Sequence, residues 1–129
     1  MRRSKSVVAL AQAALTLAAA AGIVAVAGAP ASAGCSHTWS DKDYGSSYVE
    51  GAGSTGLALR TGPHTSCALV TRIPNGHWVA FDCWTTGDYY NSYDNFWQHV
   101  RYGNGGPTYS GWIASSYLHD PYDGNLAEC

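Results

Sequence analysis

The sequence predicts a small all-β barrel or sandwich stabilised by disulfides, and three observations lead to that fold class. Short segments of alternating apolar and polar residues recur along the chain, and no amphipathic helix pattern follows the first 33 residues. Gly, Pro and Asn residues separate these segments, as is typical of short strands at regular spacing. Four cysteines are present, and a small domain with a marginal core commonly needs such bridges.

Residues 1–33 have the pattern of a secretory signal peptide. A basic start precedes an uncharged, Ala-rich stretch, and Ala31-Ser32-Ala33 provides an A-x-A cleavage site. The alternatives are a permanent membrane anchor and lipidation of Cys35. The dominance of small residues argues against an anchor, and Ser32 stands where lipidation signals favour Leu. We therefore expect an exported protein, either extracellular or associated with the cell wall.

Cleavage after Ala33 leaves 96 residues with four basic and nine acidic side chains, so the exported part has a net charge of −5. It has no basic patch to offset phosphate charge, which disfavours nucleic acid and anionic membranes as partners. The length allows one small domain, which we expect to be a monomer without a cofactor.

The exported part divides into an irregular N-terminal arm over 34–56, a barrel over 57–118 and a C-terminal tail over 119–129. We expect Trp39 or Tyr44 of the arm to pack on the barrel, and the tail to pack only through Cys129. Residues 85–95 have many turn formers and no apolar periodicity, which predicts a loop. The strands are predicted at 57–60, 68–73, 77–83, 96–102 and 109–114.

The Asn75-Gly76 pair predicts a β-hairpin between the second and third of these strands. If Ile73 faces His77, the odd-numbered side chains of both strands share one face, with Cys67 opposite Cys83. Four cysteines allow three pairings, and this register favours Cys67–Cys83, which leaves Cys35–Cys129. No Cys/His spacing typical of a metal site is present.

Three segments, in this order, resemble the bacterial SH3-like domain family. LALRTGPHTSCALVTRIPNG, from Leu57, is similar to the opening of that domain, which runs roughly LNVRxGPxxxxxVIxxLxxG. WQHV at Trp97 resembles its W-x-x-V strand, and GWIASSYL from Gly111 resembles its closing G-W-V-x-x-x-Y-L. The resemblance spans residues 56–118, and it implies an SH3-like barrel that binds cell-wall peptides.

The Cys, Asp and His residues, which often act in catalysis or bind metals, do not form a catalytic pattern in this sequence. Asp82-Cys83 superficially resembles the Asp-Cys-Ser-Gly nucleophile of NlpC-type cell-wall peptidases. However, Trp84 follows, and a thiol in a disulfide cannot act as a nucleophile. The histidines lack metal-site spacing and are predicted to lie on the surface or at strand edges, at positions 37, 64, 77, 99 and 119.

Aromatic residues are the better candidates for function. After Thr85 and Thr86, the loop 85–95 consists of Tyr, Asn, Ser, Gly and Asp, the composition that antibody loops use for recognition. Alternation assigns Phe81 to the core. Either Phe96 or Trp97 is expected to join it, and the resemblance to the W-x-x-V strand favours Trp97. By resemblance, Trp112 and Tyr117 border the peptide groove, where aromatic faces stack on extended peptides. The predicted ligand-binding residues are Trp84, Tyr89, Tyr90, Tyr93, Trp112 and Tyr117.

The function predicted is therefore that of an exported, non-catalytic module that binds cell-wall (peptidoglycan) peptides. The alternative is a secreted protein-interaction factor, such as an inhibitor of an extracellular enzyme. It is motivated by the lack of the catalytic domain that usually accompanies wall-binding SH3-like modules. A small cell-wall hydrolase is the least favoured interpretation.

Overall fold

A computed structural model describes residues 34–129, and the predicted signal peptide lies outside this range. Within it, regular structure consists of six strands and one short 3₁₀ helix. The elements are β1 (Ser46–Tyr48), β2 (Leu57–Arg60), β3 (Leu69–Ile73), β4 (Trp78–Thr86), β5 (Phe96–Tyr102), β6 (Tyr109–Ala114) and the 3₁₀ helix (Ser115–Tyr117). No helix in this range is long and apolar enough to cross a bilayer.

All six strands form one antiparallel sheet in the order β1-β4-β5-β6-β2-β3. The all-β prediction is confirmed, and the predicted bounds of β2, β5 and β6 agree with the structure. β2 shows why the alternating pattern was informative: Leu57 and Leu59 are buried, whereas Ala58 and Arg60 are partly exposed.

The predicted β3–β4 hairpin is wrong. β3 pairs with β2, with Leu57 opposite Ile73, and β4 pairs with β1 and β5. The turn at Asn75-Gly76 does form, but the N–H of Gly76 donates to the carbonyl of Val49 at 2.7 Å. The N–H of Val49 in turn donates to the carbonyl of His77 at 3.0 Å. The chain around β1 therefore occupies the edge at which β3 was expected to pair.

The predicted disulfide pairing, Cys67–Cys83 with Cys35–Cys129, is also wrong. The structure joins Cys35 to Cys67 and Cys83 to Cys129. The lost hairpin is one reason, and a β-bulge between Phe81 and Cys83 is the other. Phe81 lies opposite Val100, whereas Cys83 lies opposite the neighbouring His99, so the bulge turns Cys83 to the other face of the sheet.

Strands β5 and β6 are buried on both faces. On the inner face, Val100 and Ile113 belong to the main apolar core, together with the predicted core residue Phe81. On the outer face, Trp97 lies opposite Ala114, and Trp112 lies beside them in a second apolar cluster. Trp97 is buried as predicted, but it belongs to this outer cluster.

The N-terminal arm covers the outer cluster. His37 contacts Trp112 edge-on with ring centroids 5.1 Å apart, and Trp39 stacks on His99 at 3.8 Å. Trp39 is therefore the arm residue that packs on the barrel, while Tyr44 is 81% exposed. The Cys35–Cys67 disulfide fixes the start of this arm to the turn before β3.

The C-terminal tail packs far more than predicted. The indole of Trp84 donates to the carbonyl of Leu126 at 2.8 Å, and the amide of Gln98 donates to that of Pro121 at 2.7 Å. Asp123 accepts a hydrogen bond from the backbone of Ser46 at 2.8 Å. Although the tail is polar, it closes the barrel because its carbonyls and carboxylates satisfy buried or strand-edge donors.

Candidate functional site

A cavity of about 410 Å³ opens on the outer side of β2 and β6. We call it the tyrosine cavity, because it is lined by Tyr90 of the loop 85–95, named the insert below, and by Tyr117 of the 3₁₀ helix. Trp97 and Ala114 of the outer cluster also line it. The remaining lining residues are Gly51, Ala52, Gly53, Thr55, Gly56, Leu57, Ala58, Arg60, Thr65 and Arg72.

Tyr90 is held in place by neighbours on three sides. Its ring meets Trp97 edge-on at 5.6 Å and lies 6.2 Å from the ring of Tyr117. Its hydroxyl oxygen accepts a hydrogen bond from the backbone N–H of Ser116 at 3.2 Å. Burial raises the pKa of Tyr90, so the hydroxyl keeps its proton at neutral pH and can donate it to a ligand.

The insert that carries Tyr90 is anchored at Asp88. The Nδ1–H of His64 donates to one Asp88 oxygen at 2.8 Å, and the N–H of Thr65 donates to the other at 3.1 Å. The His64 hydrogen bond is the main cause that lowers the pKa of Asp88. In addition, the indole of Trp97 donates to the carbonyl of Asp88 at 2.9 Å. One side of the tyrosine cavity is therefore built on a fixed loop.

The six predicted ligand-binding residues lie in four environments. Tyr90 and Tyr117 meet in the cavity. Tyr89 and Tyr93 are 66% and 89% exposed and lie outside its lining. Trp84 stacks on Phe96 at 4.4 Å, beside the tail. Trp112 is only 1% exposed beneath the arm, so it has almost no surface to offer a ligand.

Two cavity residues, Arg60 and Arg72, were not predicted. Ala58 lies opposite Arg72 across the β2–β3 pair, and Arg60 lies opposite Trp112 on β6. The signal was present in the alternation, because the buried leucines of β2 require Arg60 to point away from the inner core. What the sequence lacked was the β2–β3 pairing, which brings Arg72 to the same side.

A buried polar network lies on the outer face, next to Trp112. Asp82 is fully buried and accepts hydrogen bonds from Nδ1 of His99 and Nε of Arg101, each at 2.7 Å. The prediction that the histidines lie on the surface or at strand edges is wrong for His99, which is 2% exposed. The neighbouring Cys83 sulfur is bonded to Cys129, so Asp82 has no thiol beside it to activate.

Burial lowers the pKa of His99, and the Asp82 bond opposes this shift without reversing it. We expect NMR titration of the His99 ring to give a midpoint below its ordinary value of about 6.5. Because the unfolded chain then takes up a proton at a higher pH than the folded protein does, the free energy of unfolding decreases as the pH falls below about 6.5. Removing the stacked ring with Trp39→Ala should hydrate His99 and move the midpoint towards 6.5. A midpoint above 6.5 in the native protein would show that the Asp82 charge outweighs burial.

The all-β fold is that of a small SH3-like barrel, and the family match identifies it as a binding module. The family model of the bacterial SH3 domain matches residues 55–119, and the chain belongs to this family. No curated protein and no solved structure matches the chain. Within residues 34–129, no group of three or more His, Cys, Asp or Glu side chains is arranged to hold a metal ion.

Proposed function

We propose that the protein is exported and binds peptides of the cell wall in the tyrosine cavity. The observation that carries this proposal is the meeting of Tyr90 and Tyr117 at a concave site of about 410 Å³, within the size range of ligand pockets. Aromatic walls of this kind give an extended peptide large contact area at low entropic cost.

Export is supported by the signal-peptide pattern of residues 1–33 and by the two disulfides. Disulfides form and persist in oxidising surroundings such as the extracellular space. An exported wall-binding module would meet its ligand directly after secretion. The domain division proposed with it is an arm over 34–56, a barrel over 57–118 and a tail over 119–129.

Replacing Tyr117 with alanine is expected to weaken retention on purified peptidoglycan about tenfold, because truncating a central aromatic contact typically costs over 1 kcal/mol. Co-sedimentation over a range of peptidoglycan concentrations measures the effect. Tyr44→Ala is the matched control, since Tyr44 is exposed and lies outside the cavity lining. Equal retention of Tyr117→Ala and the native protein would contradict the proposed site.

The exposed tip of the insert favours the second candidate, a secreted protein partner. Tyr89 and Tyr93 present large aromatic surfaces on a loop of antibody-like composition. The double variant Tyr89→Ala/Tyr93→Ala leaves the cavity lining intact and tests whether the wall ligand contacts the cavity or the tip of the insert. Retention on peptidoglycan should persist in this variant. If it is lost while Tyr117→Ala still binds, the contact site is the tip of the insert.

A further inference from the structure

The positive charge of the domain is concentrated at the tyrosine cavity. Residues 34–129 contain four Lys or Arg side chains against nine Asp or Glu, and two of the four, Arg60 and Arg72, line the cavity. No acidic residue belongs to that lining. The tyrosine cavity is therefore a concave site in an acidic domain whose charged lining groups are both positive.

Neither arginine forms an ion pair within the described range. Nη1 of Arg60 donates to the carbonyl of Cys67 at 3.0 Å, and Nη1 of Arg72 donates to that of Gly56 at 3.2 Å. Arg101 differs, because it is paired with Asp82 and Asp41. Asp88 accepts a hydrogen bond from the backbone N–H of the cavity residue Thr65, and its other carboxylate oxygen is paired with His64. A guanidinium has five N–H donors, so the carbonyl bonds orient Arg60 and Arg72 and leave donors for a ligand.

We infer that the tyrosine cavity selects ligands with a free carboxylate, which Arg60 and Arg72 bind while Tyr90 and Tyr117 contact the adjoining peptide. This inference rests on the proposed function and specifies its ligand as an anionic peptide. The planar fork of arginine matches carboxylate geometry and can bind it through two parallel hydrogen bonds. A phosphate-rich wall polymer fits less well, since the net charge of −5 repels a long polyanion and only two cations face it.

The test compares one synthetic stem-type pentapeptide in two forms, with free carboxylates and with every carboxylate amidated. Titration calorimetry at low salt should give a dissociation constant about tenfold lower for the carboxylate form. Arg72→Gln should bring this ratio close to one, because it removes one of the two cations that bind the carboxylate. Arg60→Gln should act likewise, but Arg72 is the primary variant because it is exposed on β3 and its removal disturbs the fold less. Lys42→Gln removes the same charge away from the cavity and should leave the ratio unchanged.

The outcomes separate this inference from the proposed function. Equal binding of both peptide forms would overturn the carboxylate preference and leave the wall-peptide proposal standing. A preference that survives in both arginine variants would assign the selection to other residues and would also overturn the inference. Failure of both peptides, together with no retention on peptidoglycan, would reject the proposed function and this inference with it. Binding of a phosphate-bearing wall polymer instead, dependent on Arg72, would show that the anion class is wrong.

Discussion

The double variant Cys83→Ala/Cys129→Ala is expected to lose about 4 kcal/mol of unfolding free energy, the largest loss of any change considered. The bond links residues 46 positions apart, and the chain-entropy relation for a loop of that length gives this value. It also holds the tail against β4, where the backbone N–H of Cys129 donates to the carbonyl of Trp84 at 2.9 Å. Urea unfolding under oxidising conditions measures the loss.

Thiol counting in the same variant tests the pairing itself. If Cys35 is bonded to Cys67, the unfolded variant should contain no free thiol. With the rejected pairing, Cys67–Cys83 and Cys35–Cys129, the variant would lose both bridges and contain two free thiols. Peptide mass mapping of the native protein gives the independent control, and a fragment that joins Cys67 to Cys83 would contradict the structure. The matched variant Cys35→Ala/Cys67→Ala should lose a similar free energy, because its 32-residue separation changes the logarithm little.

The error in the predicted pairing shows which kind of information the sequence contains. Alternation is local, and it placed Leu59 of β2 and Val79 and Phe81 of β4 correctly on the buried face. The Asn75-Gly76 turn is also local, and it forms. The choice of strand partner is not local, because the Val49 backbone competes for the edge of β4 from a position far back in the chain. The bulge at Asp82 then reversed the face of Cys83, which strict alternation cannot predict.

The candidate site was predictable to a similar degree. Loop composition made Tyr90 a candidate and the family resemblance made Tyr117 one, and both residues line the tyrosine cavity. Neither could show that Trp112 lies beneath the arm, because the arm itself carries no regular pattern. Likewise, His99 is buried because β5 is covered on both faces, whereas an alternating strand with one exposed face would leave it in water. The sequence could not predict which side chains are buried beneath irregular segments of the chain.

The second large effect is expected at Asp82, whose truncation to alanine should cost about 2 to 3 kcal/mol. Arg101 is 45% exposed and can regain water, but the buried Nδ1–H of His99 cannot. The loss therefore comes mainly from an unsatisfied donor in the outer cluster. Urea unfolding measures the loss. Asp82→Asn should have a stability between those of the native protein and Asp82→Ala, because the amide oxygen can accept from one of the two donors while its NH₂ group faces the other.

Asp41→Ala provides the matched control for Asp82→Ala. Asp41 contacts the same guanidinium at 3.5 Å, but its side chain is 60% exposed, so its removal should change stability by no more than about 1 kcal/mol. Equal effects of the two variants would show that the buried network adds no stability beyond a surface ion pair. The folded fraction of Asp82→Ala should still bind peptidoglycan, because Asp82 does not line the tyrosine cavity. Loss of binding by a fully folded Asp82 variant would instead assign this carboxylate a direct part in the site.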